Sequence, residues 1–198
     1  MASTTRLSRL SIDLGDEQVD LERIEAAEQL SVPFLIHVDV IGKLEVDFYP
    51  HLGKPCGLKI MEDGQLLRQF NGLVTSGEYL RESQSGHHYR LTVRPWTYFL
   101  DQNREMAIFQ DMTAVDIISE VLQSAGISDF RLKLSRTRDM REYCVQYQES
   151  DFAFISRLME EEGIYYFFEH TDSAHVMVLC DEPGSTASPA ASPIARPP

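Results

Sequence analysis

Hydrophobic residues alternate with polar ones along much of the first 105 residues, and this two-residue period is the feature that most constrains the fold. In the segment 34–40, which follows Pro33, every second residue is apolar, while His37 and Asp39 fall on the other side. The segment 10–14 alternates in the same way. Because a period of two places side chains on one face of a strand, we expect a sheet with one buried face.

Two turn signals divide this region into hairpins. Asp63-Gly64 separates the apolar segments 57–61 and 66–70, and glycine accepts the positive φ that a tight turn requires. A second turn is expected around Gln84-Ser85-Gly86, ahead of a strand over 88–94, and Gly72 is a candidate kink. Short strands at this spacing are typical of a small barrel or a sandwich.

The hydrophobic period changes near residue 105, where helices begin. Thr113 is a predicted N-cap and Gly126 ends that helix; a second helix begins at Ser150 or Asp151 and ends at Gly163. Apolar residues repeat at helical spacing in both segments. The predicted stripes are Val115, Ile118, Val121, Leu122 and Ala125 in the first helix, and Phe152, Ile155, Leu158 and Met159 in the second.

Strands are predicted between and after these helices. They cover 130–134, then Tyr143, Val145 and Tyr147 by alternation, then a hairpin that joins 164–168 to 176–180. The order from 113 to 181 is α-β-β-α-β-β, which indicates a compact α+β domain. The last sixteen residues hold five of the nine prolines and one large apolar residue, so they are predicted to be a linker or tail.

Composition excludes several classes of protein. The chain is 43% hydrophobic and 10% aromatic, which supports a folded core, and no stretch reaches the roughly 18 apolar residues of a membrane span. Acidic residues outnumber basic ones 31 to 18, for a formal charge of −13. Because both halves are acidic, nucleic acid and anionic membrane are poor partners, and basic partners or simple solubility fit better.

Patterns that carry chemistry are scarce in this sequence. Cys56, Cys144 and Cys180 are odd in number and far apart, so we expect small buried thiols. No phosphate-binding loop, zinc-peptidase helix or hydrolase nucleophile elbow occurs.

Two histidine pairs are the candidate metal ligands. His87 and His88 are adjacent on a strand and therefore point to opposite faces. His170 and His175 flank the last hairpin turn, where cross-strand polar pairing is the simpler interpretation. We predict no metal site and no cofactor.

The run Glu160, Glu161 and Glu162 is the candidate functional cluster. Three carboxylates in the last turn oppose the helix dipole, at about 0.3–1 kcal/mol each when exposed, and Arg157 offsets only part of this. The cluster is a solvated helix end, a docking surface whose basic partner lies elsewhere, or an acid/base pair of the glycosidase type. Since three adjacent acids cannot be assigned opposite protonation states, no catalytic site is predicted.

A longer series of residues resembles a known family. It begins with Arg94-Pro95-Trp96, continues through 108–111 and 115–118, and becomes nearly continuous over 141–152 and 154–170. Together these segments resemble the N-terminal part of VgrG proteins, the spike of the bacterial type VI secretion system. The resemblance covers residues 5–182.

The resemblance implies a fold and a role. The fold class is α+β and mainly β, like a phage tail hub, with a β-barrel hub domain over 1–105, an α+β domain over 106–182, and a linker or truncated edge over 183–198. The implied role is a non-enzymatic homotrimeric adaptor between a tube of Hcp rings and a puncturing needle. Implied partners are baseplate components, a PAAR-type tip and effectors; the spike assembles in the cytoplasm and is then secreted.

Other interpretations remain. A baseplate hub of a phage or phage-like contractile particle shares the implied fold and mechanics. A cell-wall hydrolase module is a third interpretation, which needs a catalytic constellation that we do not find. VgrG proteins continue into further domains and a β-helical needle, so the chain is expected to be an incomplete hub.

Overall fold

The computed structural model describes residues 8–13 and 19–182. Within them, strands and helices occur in the order expected for a mainly β chain with an α+β second half. The strands are β1 (Ser8–Asp13), β2 (Val19–Gln29), β3 (Val32–Gly42), β4 (Pro55–Glu62), β5 (Gln65–Ser83), β6 (Gly86–Arg94), β7 (Glu105–Thr113), β8 (Phe130–Lys133), β9 (Met140–Glu149), β10 (Tyr165–His170) and β11 (His175–Cys180). The helices are α1 (Thr97–Leu100), α2 (Ala114–Ser124) and α3 (Asp151–Glu161).

The first half is one antiparallel sheet of six strands, in the order β1-β4-β5-β6-β3-β2. The predicted hairpin at Asp63-Gly64 is confirmed, since both residues have positive φ, 50° and 79°, and Glu62 pairs with Gln65. The second predicted hairpin is confirmed too, with β5 and β6 joined through residues 84 and 85. These two turns place the longest strand, β5, at the centre of the meander.

The two outer strands of this sheet come close together. Residues of β1 and β2 lie within 8 Å of each other by Cα distance, yet the described residues of the two strands share no ladder. The sheet is therefore curved toward closure but open in the described part of the chain. The predicted strand over 10–14 is present as β1, although Leu14 lies outside the described residues.

The buried face of the sheet follows the predicted alternation. Every second residue of β3 from Phe34 to Val40 is buried, as expected. The register of β5 is continuous at Gly72, the predicted kink, and the irregularities nearest to it on the β6 side fall between Val74 and Ser76 and between Tyr79 and Arg81. Glycine is required at 72 for another reason, because a Cβ would lie 2.5 Å from Val93 Cγ1.

The second half contains a strand that the sequence did not predict. β7 precedes α2 and pairs with β9 in a two-stranded ribbon, so the order is β-α-β-β-α-β-β. β8, β11 and β10 form a second small sheet, in which β11 runs parallel to β8 and antiparallel to β10. We call the pair β7–β9 the ribbon.

Helix boundaries follow the predicted caps. Thr113 and Asp116 form a reciprocal capping box, with both backbone-to-side-chain bonds at 3.2 Å, and Ser150 caps α3. Gly126 and Gly163 follow the helices with φ near 77° and 65°, which suits the left-handed residue after a helix.

The predicted apolar stripes are partly wrong. In α2, Ile117 is fully buried although it was not in the stripe, and Ala125 is exposed. In α3, Phe154 is fully buried and Phe152 only partly. Residues of both helices share one buried cluster with residues of the ribbon and of the small sheet, so the buried arc is wider than one stripe.

The predicted face of β9 is inverted. Tyr143 and Tyr147 are exposed, while Cys144 and Gln146 are buried. Gln146 belongs inside because its amide donates to Asp151 Oδ1 at 2.8 Å and to a backbone carbonyl at 3.2 Å, at the start of α3. A polar residue with these partners can occupy a core position without a desolvation loss.

The buried side chains form two clusters that meet around one aromatic junction. The first belongs to the six-stranded sheet and the second begins at Trp96 and includes the helices and both small sheets. Phe34 of the first cluster contacts Phe168 and His175, whose rings lie 5.1 and 5.5 Å away. The domain boundary between 105 and 106 remains a prediction.

Candidate functional site

The predicted carboxylate cluster lies at the end of α3, where two of its members are paired within the chain. Arg141 of β9 donates to Glu161 and to Glu162, each at 2.7 Å. Arg157, one turn before Glu161, donates to the same carboxylate at 3.3 Å, as the sequence predicted. Glu160 is exposed. Much of the negative charge at this helix end is therefore compensated by this chain's own arginines.

These contacts keep Glu161 ionised. Hydrogen bonds donated by Arg141 hold the pKa of Glu161 below its ordinary value, and donating to Glu162 and Glu161 raises the pKa of Arg141. Glu161 is thus an ionised partner in an ion pair, which does not suit a general acid. A docking role for the cluster remains a prediction, and Glu160 and Glu161 are its exposed members.

A buried ion pair lies next to this cluster and was not predicted. The Asp181 carboxylate accepts hydrogen bonds from the backbone of Ser135 and Arg136 and from Arg138 Nη1 at 2.9 Å. Burial alone would raise the pKa of Asp181, but these donors outweigh it and hold the pKa below its ordinary value. Arg138 Nε also lies 3.6 Å from Glu162. The pair anchors the segment between β8 and β9 to the end of β11.

No local pattern could have revealed these arginines. Arg138 and Arg141 lie 43 and about 20 residues from their partners along the chain. Spacing rules for helices detect ion pairs only three or four residues apart. The arrangement stabilises one end of the α+β part, and Arg138 compensates the charge of Asp181.

His170 and His175 lie at the junction between the two buried clusters, in different environments. His175 is buried, stacks on Trp96 at 24°, and its Nε2 accepts the Trp96 backbone N–H at 3.0 Å. His170 Nδ1 accepts the Asn71 backbone N–H at 3.0 Å, and its Nε2 lies 3.1 Å from Glu28. His170 therefore bonds to the six-stranded sheet, whereas His175 bonds to the segment after β6 and packs on Phe34 of the sheet, and the two rings share no hydrogen-bond partner.

His88 bridges the β5–β6 hairpin and the sheet edge. Its Nδ1 lies 2.8 Å from Glu22 and its Nε2 lies 2.8 Å from the Ser83 hydroxyl. This order of groups also occurs in hydrolases, which in addition need oxyanion donors and a substrate pocket beside the hydroxyl. Here the Ser85 backbone N–H donates to the Ser83 oxygen itself at 3.1 Å. These contacts fix β2 to the β5–β6 hairpin. His87 takes no part in them and lies near Tyr79.

Two cavities border these elements. One, of about 210 Å³, lies at the junction against Trp96, His175 and Ile127. Another, of about 390 Å³, lies between the ribbon and α2, against Phe109 and Glu120. Both are open, and neither gathers a set of convergent acid, base and nucleophile side chains.

The described residues also show whether the chain has a cluster of metal ligands or a helix that could span a membrane. Within residues 19–182, no group of three or more His, Cys, Asp or Glu side chains is placed to hold a metal ion. None of the helices in that part of the chain combines the length and apolar character needed to cross a bilayer. All three cysteines are buried, which confirms the expectation of buried thiols.

Comparisons by sequence and by fold relate this chain to the same group of known proteins. The chain is 40% identical over 193 residues to the type VI secretion system spike protein VgrG1b of Pseudomonas aeruginosa, covering 96% of this chain and 26% of that protein. It is 39% identical over 189 residues to VgrG1c of the same organism, covering 94% and 26%. The chain thus spans about a quarter of the length of these spike proteins.

A solved structure supports the same relationship. The E. coli c3393 protein, described as a component of the type VI secretion system with structural similarity to the T4 bacteriophage tail proteins gp27 and gp5, superposes with a TM-score of 0.78. It is 27% identical, and the match covers 87% of this chain and 49% of that one. The resemblance to the N-terminal part of VgrG proteins is confirmed. Residues 27–197 match the phage tail baseplate hub (GPD) family, and the chain belongs to that family.

Proposed function

We propose that this chain is the hub portion of a type VI secretion spike, a trimeric adaptor between the secretion tube and the puncturing needle. The observation that carries the proposal is the 40% identity to the spike protein VgrG1b over 96% of the chain. Membership of the baseplate hub family and the fold of the c3393 protein support it independently.

The fold supports a mechanical role. A hub transmits force through sheets and buried junctions, and here the two halves are joined by the Phe34, Trp96 and His175 contacts. We infer that the six-stranded sheet closes into a small barrel through β1 and β2, whose Cα atoms already approach within 8 Å. Three copies of such a barrel around one axis would form a ring, because heterologous contacts that close produce cyclic assemblies.

Partners and location follow from this role. In the assembled spike, the hub would sit on the Hcp tube, contact baseplate components, and carry a PAAR-type tip and effectors through the rest of the spike. Assembly takes place in the cytoplasm, and the type VI system then secretes the particle. The acidic character of the chain keeps it soluble and suits basic contact surfaces.

A deletion tests the proposal. Removing codons 19–182 from the gene in its native bacterium should abolish the appearance of Hcp in the culture medium, and the intact gene supplied in trans should restore it. A matched strain carrying Leu44→Ala, which alters a highly exposed side chain, serves as the control and should secrete normally. Undiminished Hcp secretion by the deletion strain would contradict the proposal.

The baseplate hub of a phage-like contractile particle is the second candidate, favoured by the name of the matching family. The two proposals share the hub geometry and differ in gene context. Neighbouring genes for a sheath with effectors support the secretion spike, whereas neighbouring genes for capsid and packaging proteins support the phage particle.

We further propose that the chain acts without catalysis. Glu161 and Ser83 are the side chains that most resemble catalytic groups. Glu161 is ionised and the Ser83 oxygen accepts a backbone hydrogen bond, and both observations support a structural role for them. Incubating the purified chain with peptidoglycan should release no soluble fragments. Release that Glu161→Gln or Ser83→Ala abolishes would establish the hydrolase alternative.

A further inference from the structure

The cavity between the ribbon and α2 lies on the inward side of the ribbon. Ala107 of β7 pairs with Gln146 of β9, and both residues line the cavity, as do Val121 and Ala125 on the side of α2. The short side chains of the two alanines fill little of the space between these elements. The cavity measures about 390 Å³, which lies within the roughly 300–1,000 Å³ of ligand pockets in proteins.

A buried amide presents an unused acceptor to this cavity. Gln146 is only 2% exposed, and both hydrogens of its Nε2 are used, by Asp151 Oδ1 at 2.8 Å and by the Glu149 carbonyl at 3.2 Å. Its Oε1 accepts no hydrogen bond from a described residue, yet it keeps some accessible surface. Because Gln146 borders the cavity and is otherwise buried, Oε1 faces into the cavity, where it requires a donor.

Carboxylates surround this acceptor. Glu105, Glu120 and Asp151 line the cavity, and no lysine or arginine is among its described lining residues. Glu105 and Glu120 are exposed, and neither forms an ion pair with another described residue. Asp151 accepts a hydrogen bond from Asn103 at 2.6 Å and begins α3, whose positive end offsets part of its charge. The two glutamates therefore leave the cavity with uncompensated negative charge.

The end of α2 adds potential of the same sign. Ser124 ends this helix and lines the cavity together with Ala125. The carboxyl end of a helix carries a partial negative charge and stabilises a nearby cation, but the last turn of α2 contains no basic residue. An acceptor, two unpaired carboxylates and a helix end thus all favour a group that is positively charged and donates hydrogen bonds.

Arg104 is the basic residue nearest to the cavity along the chain, and it does not occupy the cavity. Its Nη1 donates to the Asn103 carbonyl at 2.9 Å, and Arg104 is not one of the lining residues. It also forms no ion pair with another described residue, including the adjacent Glu105. In this structure the chain therefore does not supply the cation itself.

We propose that the cavity between the ribbon and α2 binds an aliphatic cation, which is an ammonium or guanidinium group on a hydrocarbon stem. The stem packs on Phe109 and Val121, as the stems of long cationic side chains pack on apolar surface while their head groups stay in polar surroundings. The head group donates to Gln146 Oε1 and is attracted by Glu105 and Glu120. A free amine and a lysine or arginine side chain of a partner protein share this chemistry.

The test titrates the 198-residue chain with three compounds that have the same butyl stem. Butylammonium, butanol and butyrate carry a positive, a neutral and a negative head group. Nitrogen–proton NMR spectra follow the side-chain amide of Gln146 and the backbone amides of Ala107 and Ala125. Butylammonium should shift these signals and bind about fivefold more tightly than butanol, since each exposed carboxylate contributes modestly, and butyrate should not bind.

A second titration distinguishes the two sources of the cation. A capped Gly-Arg-Gly peptide presents the guanidinium as a side chain of another protein does. Shifts of the same three signals by this peptide would assign the site to a partner's side chain. Shifts by butylammonium alone would assign it to a free amine, because the peptide backbone then prevents entry. Either result supports a site for an aliphatic cation.

Variants locate the binding. The double variant Glu105→Gln with Glu120→Gln should weaken butylammonium about fivefold and reduce the salt dependence, and Ala125→Leu should abolish binding by narrowing the cavity. Glu142→Gln is the matched control, because Glu142 is exposed on the same ribbon without lining the cavity, and it should leave binding unchanged. Circular dichroism melts of all variants should match the parent chain, since the altered side chains are exposed.

Three outcomes would overturn the proposal. Equal binding of butylammonium and butanol would remove the charge argument, and unchanged binding in both Ala125→Leu and the double glutamate variant would place the site elsewhere. Binding that appears only in Arg104→Ala would assign the cavity to this chain's own arginine. None of these outcomes bears on the Hcp secretion test, so failure of this inference is distinguishable from failure of the proposed function.

Discussion

Protonation of His175 should destabilise the protein in a narrow and unusual pH window. Its Nε2 accepts the Trp96 backbone N–H, so the proton of the neutral ring is on Nδ1, and a charged ring would lose this hydrogen bond. Burial, and then the charge of His170, lower the pKa of His175 from 6.5 to about 4. The folded protein therefore resists protonation at pH values where the unfolded chain accepts it.

The sign and size of the effect follow from linkage. Stability from His175 is complete above pH 6.5, declines as the pH falls, and is lost by about pH 4, because the unfolded state binds more protons in this range. At 1.36 kcal/mol per pKa unit, the full effect is about 3 kcal/mol, and about 2 kcal/mol of it falls between pH 7 and pH 5. Asp181 and Glu28 have lowered pKa values and lose their contributions only below their ordinary values of 3.8 and 4.5.

The protein carries its own probe for this measurement. Trp96 is the single tryptophan, is buried, and lies against His175 with ring centroids 6.5 Å apart. Urea unfolding followed by tryptophan fluorescence at pH 5, 6 and 7 gives the free energy of unfolding at each pH. The matched variant His175→Gln keeps an acceptor for the Trp96 N–H but cannot be protonated in this range.

The test compares the parent chain with the variant His175→Gln. We expect the free energy of unfolding to fall by about 2 kcal/mol more in the parent chain than in His175→Gln between pH 7 and pH 5. Equal pH dependence in both proteins would refute the argument that a buried neutral His175 holds the junction.

Three further substitutions test the packing and the caps. Asp181→Asn removes the charge that compensates Arg138 inside the protein and should cost about 3–5 kcal/mol in urea unfolding, so a cost below 1 kcal/mol would contradict a buried ion pair. Gly72→Ala places a Cβ 2.5 Å from Val93 Cγ1 and should cost about 1–3 kcal/mol, whereas an unchanged melting temperature would mean that the sheet relaxes freely. Thr113→Ala removes the side chain of a capping box and should cost about 1 kcal/mol, which Thr113→Ser should restore.

Local signals in the sequence were enough to predict the hairpins and helix ends. Asp63-Gly64, Thr113 and Gly126 each satisfy a backbone requirement within a few residues, and the structure places all three as expected. The alternation of β3 also survives, because one of its faces packs on a core and the other does not.

Elements that depend on distant contacts were missed or misread. β7 was not predicted, since its outward residues Met106 and Ile108 are apolar and hide the two-residue period. Tyr143 and Tyr147 lie on the same exposed side of the ribbon, so assigning them to the buried face of β9 was wrong. No short-range pattern links Asp181 to Arg138, because the pair forms only when the end of β11 meets the segment after β8.

The predicted docking cluster shows the same limit. The sequence was enough to place Glu160, Glu161 and Glu162 at a helix end. It did not show that Arg141, which pairs with Glu161 and Glu162, comes from β9. The exposure of Met106, Ile108, Tyr143 and Tyr147 on the ribbon was not foreseen, because exposed tyrosines and methionines look like core residues in a sequence.

The central claim is that this chain is part of a threefold hub, and the mass of the full-length protein from the same gene tests it most directly. Light scattering coupled to size-exclusion chromatography at micromolar concentration should return three times the mass of one chain. A stable monomer under those conditions would contradict the hub assignment.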